Sequence, residues 1–233
     1  MGLRDGIPIA LGYLSVSFAF GIFATGSGLS VLEAVLISAF NVTSAGQLAA
    51  VPIIASGGAF IELALSQFII NLRYALMSVS LSQRLGDSVR IRDRFLISFM
   101  NTDEVFAVAV SKDARVGRKY MMALIATPFA GWLLGTLLGA VAGSILPPVI
   151  VSAFGIAIYA MLIAIVIPEA RSKGAVALCA LLSVALSCAF YFIPILNGVP
   201  SGFVIIICAV SVSVLFALLA PLVDDGGEEA ENA

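Results

Sequence analysis

Eight apolar runs, at about 7–25, 31–56, 59–82, 95–111, 120–146, 149–167, 175–195 and 201–221, occupy most of this 233-residue chain. Crossing about 30 Å of hydrocarbon takes about 20 residues of helix, and the sequence supplies that length several times over. Charged residues make up 11% of the chain, where a soluble domain carries about 25%. The runs are continuous instead of alternating, which excludes a lipid-facing barrel. Helices are then the elements that satisfy the backbone in lipid. The sequence predicts an all-α polytopic membrane protein. On this reading residues 1–222 are expected to form a single transmembrane domain, and 223–233 an acidic, disordered tail whose charges stay solvated.

The connections narrow the topology. Residues 83–94 hold Arg84, Arg90, Arg92 and Arg94, residues 112–119 hold Lys112, Arg115, Arg118 and Lys119, and residues 169–174 hold Arg171 and Lys173. Lys and Arg concentrate on the cytoplasmic side of short loops. If every run crossed, the first two basic loops would lie on opposite faces. The conflict disappears if 95–111 enters from the cytoplasm and returns, with 31–56 doing the same from the other side. Both segments are then re-entrant or broken, and both termini are cytoplasmic. The alternative is eight full spans with one basic loop outside. A 60-residue shift aligns VLEAVLISAFN (Val31 to Asn41) with IRDRFLISFMN (Ile91 to Asn101), and it places 59–82 near 120–146. In the re-entrant topology these copies are inverted, as in many secondary transporters.

Polar groups inside the runs are few and costly, at about 2.5 to 3.5 kcal/mol for a charge at a helix centre. The candidates for a substrate site or pathway are Thr43, Ser44, Gly46, Gln47, Asn71, Arg73, Asn101, Thr102, Asp103 and Glu104. Arg73 lies too deep to reach an interface easily and needs an anion, supplied by the protein or by a substrate. Asp103 and Glu104 point about 100° apart on a helix, so one is expected to pair with Arg73. The other should line a pathway or sit near the cytoplasmic edge. A buried structural tie between Arg73 and a carboxylate is the competing reading. Histidine is absent, so Asp103, Glu104 and Glu62, which water could reach near the start of its run, are the candidates for proton coupling. Cys179, Cys188 and Cys208 sit inside apolar runs without ligand-like spacing, so no metal, cofactor or disulfide framework is expected, and nothing suggests nucleic acid. Gly131, Gly135, Gly139 and Gly143 form a ridge that lets another helix approach closely. Internal packing is favoured there over a partner surface.

GLRDGIP (2–8), FAFG (18–21), GLSVLEAVLIS (28–38), AGQLAA (45–50), NLRY (71–74) and TDE (102–104) together resemble the AzlC-type branched-chain amino acid exporters, the large subunit of the LIV-E transporters. The resemblance is good over residues 2–110 and continues beyond by hydropathy and the basic 112–119 loop. It implies proton-linked export of valine, leucine, isoleucine or similar amino acids across the inner membrane, with a small AzlD-type membrane subunit as partner. The chain departs from the family pattern at Ser17 to Ala19, at Tyr74 and at Asn41 to Ser44. A non-transporting scaffold or regulatory subunit that uses the glycine ridge is the alternative function. An intramembrane hydrolase fits poorly, because the two carboxylates are adjacent and no nucleophile motif accompanies them.

Overall fold

The structure is a computed structural model that describes residues 1–112 and 114–219; the acidic tail lies outside the described residues. The described residues form ten α-helices: α1 (Gly2–Gly26), α2 (Val31–Phe40), α3 (Ser44–Ala55), α4 (Phe60–Arg84), α5 (Ile91–Phe99), α6 (Asp103–Val110), α7 (Arg118–Gly143), α8 (Pro148–Ser172), α9 (Gly174–Phe192) and α10 (Ser201–Leu219). Among them α1, α4, α7, α9 and α10 are long and apolar enough to cross a membrane. The protein is therefore a polytopic helical membrane protein. It divides into two compact units, one ending at Met161 and the other beginning at Leu162 within α8.

Two apolar runs do not form single helices. The run 31–56 breaks between α2 and α3, where Asn41 (φ −136°) and Thr43 (φ −146°) are extended. Asn, Thr and the β-branched Val42 are poor helix formers. Breaking a helix orphans backbone groups, and the Asn41 carbonyl is rescued by the Gln47 side-chain amide at 2.9 Å. The run 95–111 breaks between α5 and α6, with Thr102 extended ahead of Asp103. The helix there starts at Ile91, four residues before the apolar run. The Asp93 carboxylate accepts the Arg90 backbone N–H at 3.0 Å and so caps a polar first turn that hydropathy leaves out. Ser30 and Glu33 form the matching capping box at the start of α2.

The ends of the helices fix their directions. Pairing between the chain after α4 and the chain before α7 is direct: Gly86 N–H donates to the Val116 carbonyl and Val116 N–H to the Arg84 carbonyl, both at 2.9 Å. At the same end Arg118 Nε donates to Asp93 at the start of α5 (2.7 Å). Lys112, just past α6, reaches Asp5 in the first turn of α1 (2.8 Å). One face thus collects the starts of α1, α5 and α7 and the ends of α4 and α6, together with both basic loops. The α5–α6 pair enters from this basic face and returns to it. On the opposite face, α2 follows the end of α1, and α3 ends where α4 begins, with Gly58 N–H donating to the Ile53 carbonyl at 2.8 Å. The α2–α3 pair therefore dips in from the other side. Both segments are thus broken into hairpins whose two ends lie on one face, the geometry that a re-entrant arrangement requires. With the 60-residue offset, α2–α3–α4 and α5–α6–α7 form two copies of opposite direction.

The glycine ridge of α7 is internal. It lies along α1, which runs parallel to it: a Cβ added at Gly131 would stand 2.5 Å from the Ala10 carbonyl oxygen. At Gly135 and Gly139 it would run into the Leu14 and Phe18 carbonyls. The first part of α8 packs on α1 through edge contacts of Phe154 with Phe18 and Tyr159 with Phe23. In the second unit, α9 and α10 pack together across the 193–200 connection, with Gly202 and Val212 of α10 buried.

Candidate functional site

The two hairpin tips meet in the first unit. Tyr13, Arg73 and Trp132 each lie within two residues of the midpoint of α1, α4 and α7, and Tyr13 and Arg73 touch the start of α6. The tips therefore turn at mid-depth, about 18 Å from either end of a 25-residue helix.

Between the tips is a cavity of about 190 Å³. Phe40, Asn41, Val42 and Thr43 of the first tip form one wall, and Ser98, Phe99 and Asn101 of the second form another. Asn71 and Tyr74 of α4 close a third side. No charged side chain lines it. Both chain breaks aim the starts of α3 and α6 at this region, so backbone N–H groups and the positive helix ends face the centre.

An ion pair flanks the cavity. Arg73 Nη2 contacts Asp103 Oδ2 at 2.9 Å, and both side chains are about half exposed, at 54% and 49%. The same nitrogen donates to the Tyr74 hydroxyl at 2.9 Å, with the guanidinium 4.8 Å from the Tyr74 ring centre. The Tyr74 hydroxyl in turn donates to Thr43 Oγ1 at 3.4 Å. A charged chain thus links α6 through α4 to the first tip. Of the two carboxylates, Asp103 is the partner of Arg73. Glu104 turns the other way and accepts a short hydrogen bond from Tyr13 of α1. It lies at mid-depth and not at the basic face.

A second network holds the first tip. Gln67 of α4 accepts from Asn41 Nδ2 at 2.8 Å and donates to the Gly46 carbonyl at 2.9 Å. Gly46 has no room for a side chain, because a Cβ there would stand 2.6 Å from Gln67 Oε1. Gln47, fully buried, donates to Ser38 Oγ at 2.9 Å, and Ser38 shares a hydrogen bond of 2.6 Å with Thr136 of α7. Ser44 opens α3, and Asn71 donates to the Gln67 carbonyl at 2.9 Å. The second tip is less satisfied. Asn101 and Thr102 are buried, at 4% and 5% exposure. Both amide atoms of Asn101 and the Thr102 hydroxyl oxygen make no hydrogen bond to the described residues.

The predicted residues thus divide. Thr43, Gly46, Gln47, Asn71, Arg73, Asn101, Thr102, Asp103 and Glu104 surround the two tips. Glu62 does not join them. It is buried near the start of α4, beside Gly58, about 16 Å along the helix from Arg73. Tyr13, Ser38, Gln67, Tyr74 and Thr136 complete the site and escaped the sequence reading as site residues. Only Gln67 carried a usable signal, as an amide one helical turn before Asn71.

At the basic face, Lys112 and Tyr120 both bond the Asp5 carboxylate, at 2.8 and 2.7 Å. The carboxylate, with help from the Tyr120 hydroxyl, holds the Lys112 ammonium above its ordinary pKa against a smaller effect of burial.

Inverted copies of a long helix and a broken hairpin, meeting at a polar mid-depth cavity, define a membrane protein built as secondary transporters are built. The sequence comparisons agree. A family model described as AzlC protein matches residues 8–146, which takes in both hairpins and α7. The chain is 30% identical over 211 residues to "Inner membrane protein YgaZ" of Escherichia coli (strain K12), covering 86% of each chain. It is 30% identical over 174 residues to "Uncharacterized membrane protein" of Archaeoglobus fulgidus, covering 74% of this chain and 76% of the relative. No solved structure matches. The chain belongs to the AzlC family, a family of membrane transporters.

Proposed function

We propose that this protein is a secondary transporter that exports branched-chain or similar hydrophobic amino acids, coupled to protons. Residues 1–222 act as one transport domain in the cytoplasmic (inner) membrane. Both termini and the basic face are cytoplasmic, and a small AzlD-type membrane subunit is the partner. The observation that carries this reading is the pair of inverted hairpins whose tips enclose one small polar cavity. Irregular backbone at membrane depth is tolerated where it is buried in protein or lines a watery space. Opposed hairpins give each face its own gate. Rocking of one copy against the other would open the cavity to one side at a time.

The chemistry of the site supports a coupled cycle. Protonating Asp103 removes the charge that holds Arg73 and frees the guanidinium for a substrate carboxylate. Deprotonation restores the pair and expels that carboxylate. Glu104, accepting from the Tyr13 hydroxyl, ties the start of α6 to α1. The cavity is smaller than the about 300–1,000 Å³ of drug-sized pockets. A cavity of about 150 Å³ holds benzene, so 190 Å³ suits a solute of valine size. The scaffold reading loses its main support, because the glycine ridge is covered by α1.

The test is valine efflux from proteoliposomes under an imposed pH gradient. Asp103→Asn should abolish acceleration by the gradient, and Glu104→Gln should weaken it. Unchanged coupling in both variants would remove the proton role. Absence of amino acid flux with and without the small subunit would remove the transport reading.

A further inference from the structure

The least satisfied group in the site is Asn101. The residue is 4% exposed and borders the cavity between the tips, and its amide nitrogen and oxygen, both buried, bond no described residue. A buried amide in that state costs more than one left in water, and native structures contain few of them. The repeat sharpens the contrast. Its counterpart Asn41 is engaged, because the Gln67 side chain takes its amide N–H at 2.8 Å. The residue 60 positions after Gln67 is Thr127, whose hydroxyl is turned to its own helix, donating to the Ala123 carbonyl at 2.8 Å. One copy thus ties its tip amide down, and the other leaves it buried beside the cavity with no partner among the described residues.

A primary amide offers donors at one end and an acceptor at the other. A simple anion in the cavity would satisfy the nitrogen and strand the oxygen. A simple cation would do the reverse. Because both ends are free, this reasoning holds whichever way the amide is turned. A ligand that carries an acceptor group and a donor group on one carbon satisfies both, and the carboxylate and ammonium of an α-amino acid zwitterion have that arrangement. The start of α6, two residues on, adds backbone N–H groups and a positive helix end for the carboxylate.

We infer that Asn101 is the head-group reader of the site: its amide bridges the carboxylate and the ammonium of one bound α-amino acid, while Phe40, Val42 and Phe99 receive the aliphatic side chain. This rests on the amino acid reading above. It assigns head-group selection to Asn101, and to Asp103 the protonation that releases Arg73 toward the same carboxylate. A site built on buried hydrogen-bonding groups rejects ligands that lack one of their partners far more strongly than it senses a methylene.

The test is equilibrium binding of labelled valine to the purified full-length chain, with unfolding temperature measured in parallel. Wild-type binding should be displaced by unlabelled valine or leucine, but not by valinamide or isovalerate, which each lack one charge. Asn101→Leu should weaken binding about 10- to 100-fold, the loss expected for hydrogen bonds to charged groups. It should leave the unfolding temperature unchanged or higher, since an apolar group replaces an unpartnered amide. Asn101→Asp keeps the shape but replaces the donor with a negative charge. It should lose valine and favour isobutylamine. Valine binding equal to wild type in both variants, or a large loss of stability with binding retained, overturns the inference and leaves the transport reading intact. Failure of wild-type protein to bind any amino acid, with and without the small subunit, overturns both.

Discussion

Gly131→Ala is the substitution whose cost the structure sets most directly. The new methyl carbon would lie 2.5 Å from the Ala10 carbonyl oxygen and 3.1 Å from the Ala10 carbonyl carbon and Cα. Favourable contact begins at about 3.5 Å, so α1 and α7 must separate by about 1 Å locally. No side chain can absorb that movement, because the obstructing atoms are all main chain. The shift also propagates, since Gly135 and Gly139 rest on the same backbone one and two turns further along. Overpacking of this kind costs about 1–3 kcal/mol. At about 2–4 °C per kcal/mol for a chain of this size, unfolding should fall by roughly 2–12 °C. Gly12→Ala is the internal control. It lies on α1, where an added Cβ meets nothing within 4 Å, and the helix propensity of Ala over Gly favours it by about 1 kcal/mol. Thermal unfolding in detergent micelles, followed by circular dichroism, compares the two. Equal unfolding temperatures, or a more stable Gly131→Ala, would refute the close α1–α7 contact.

Arg73→Ala removes one partner of an ion pair whose side chains are 54% and 49% exposed, and should cost less stability than breaking a fully buried pair, which costs about 3–5 kcal/mol. Valine efflux should nevertheless fall more than tenfold, and a matched loss of stability and flux would point to a structural tie. In a background with Cys179, Cys188 and Cys208 replaced, Asp87→Cys and Arg115→Cys should react with an impermeant thiol reagent from the same side of the membrane. Their carboxylate and guanidinium lie 3.9 Å apart, and labelling from opposite sides would refute the α5–α6 hairpin. Lys112, held above its ordinary pKa by Asp5, contributes stability that is fully present below the lysine range and lost as pH rises through the elevated value. The stability gap between wild type and Lys112→Met should therefore be constant from pH 7 to about 10 and close at higher pH. A gap that widens with alkalinity would contradict the pairing.

The topology was legible because it rests on charge. Arg84 to Arg94 and Lys112 to Lys119 flank the run 95–111, and the hairpin follows from keeping both basic loops on one face. The break points were legible through Asn41 and Asn101, which the 60-residue shift superimposes. The long-range partners were not. Tyr13 and Glu104 are 91 positions apart, and Ser38 and Thr136 are 98 apart. A tyrosine or serine in an apolar helix carries no mark of what it will meet. Glu62 illustrates the converse: its charge drew attention, and the structure places it buried beside Gly58 at the start of α4, away from the tips. The choice between Asp103 and Glu104 turned on helix phase. That phase is set by the break at Thr102, which no hydropathy pattern locates to one residue.

The shortness of the hairpin helices has an electrical consequence. With eight residues in α6 and nine in α5, each arm spans only about 12–14 Å, so Asp103 sits near the middle of the voltage drop. A unit charge crossing the whole membrane gains or loses about 2.3 kcal/mol per 100 mV. A proton that reaches Asp103 from either face therefore does about half that work. Proton arrival on one side and departure on the other would then split the membrane potential into two nearly equal steps, and both halves of a transport cycle would respond to voltage.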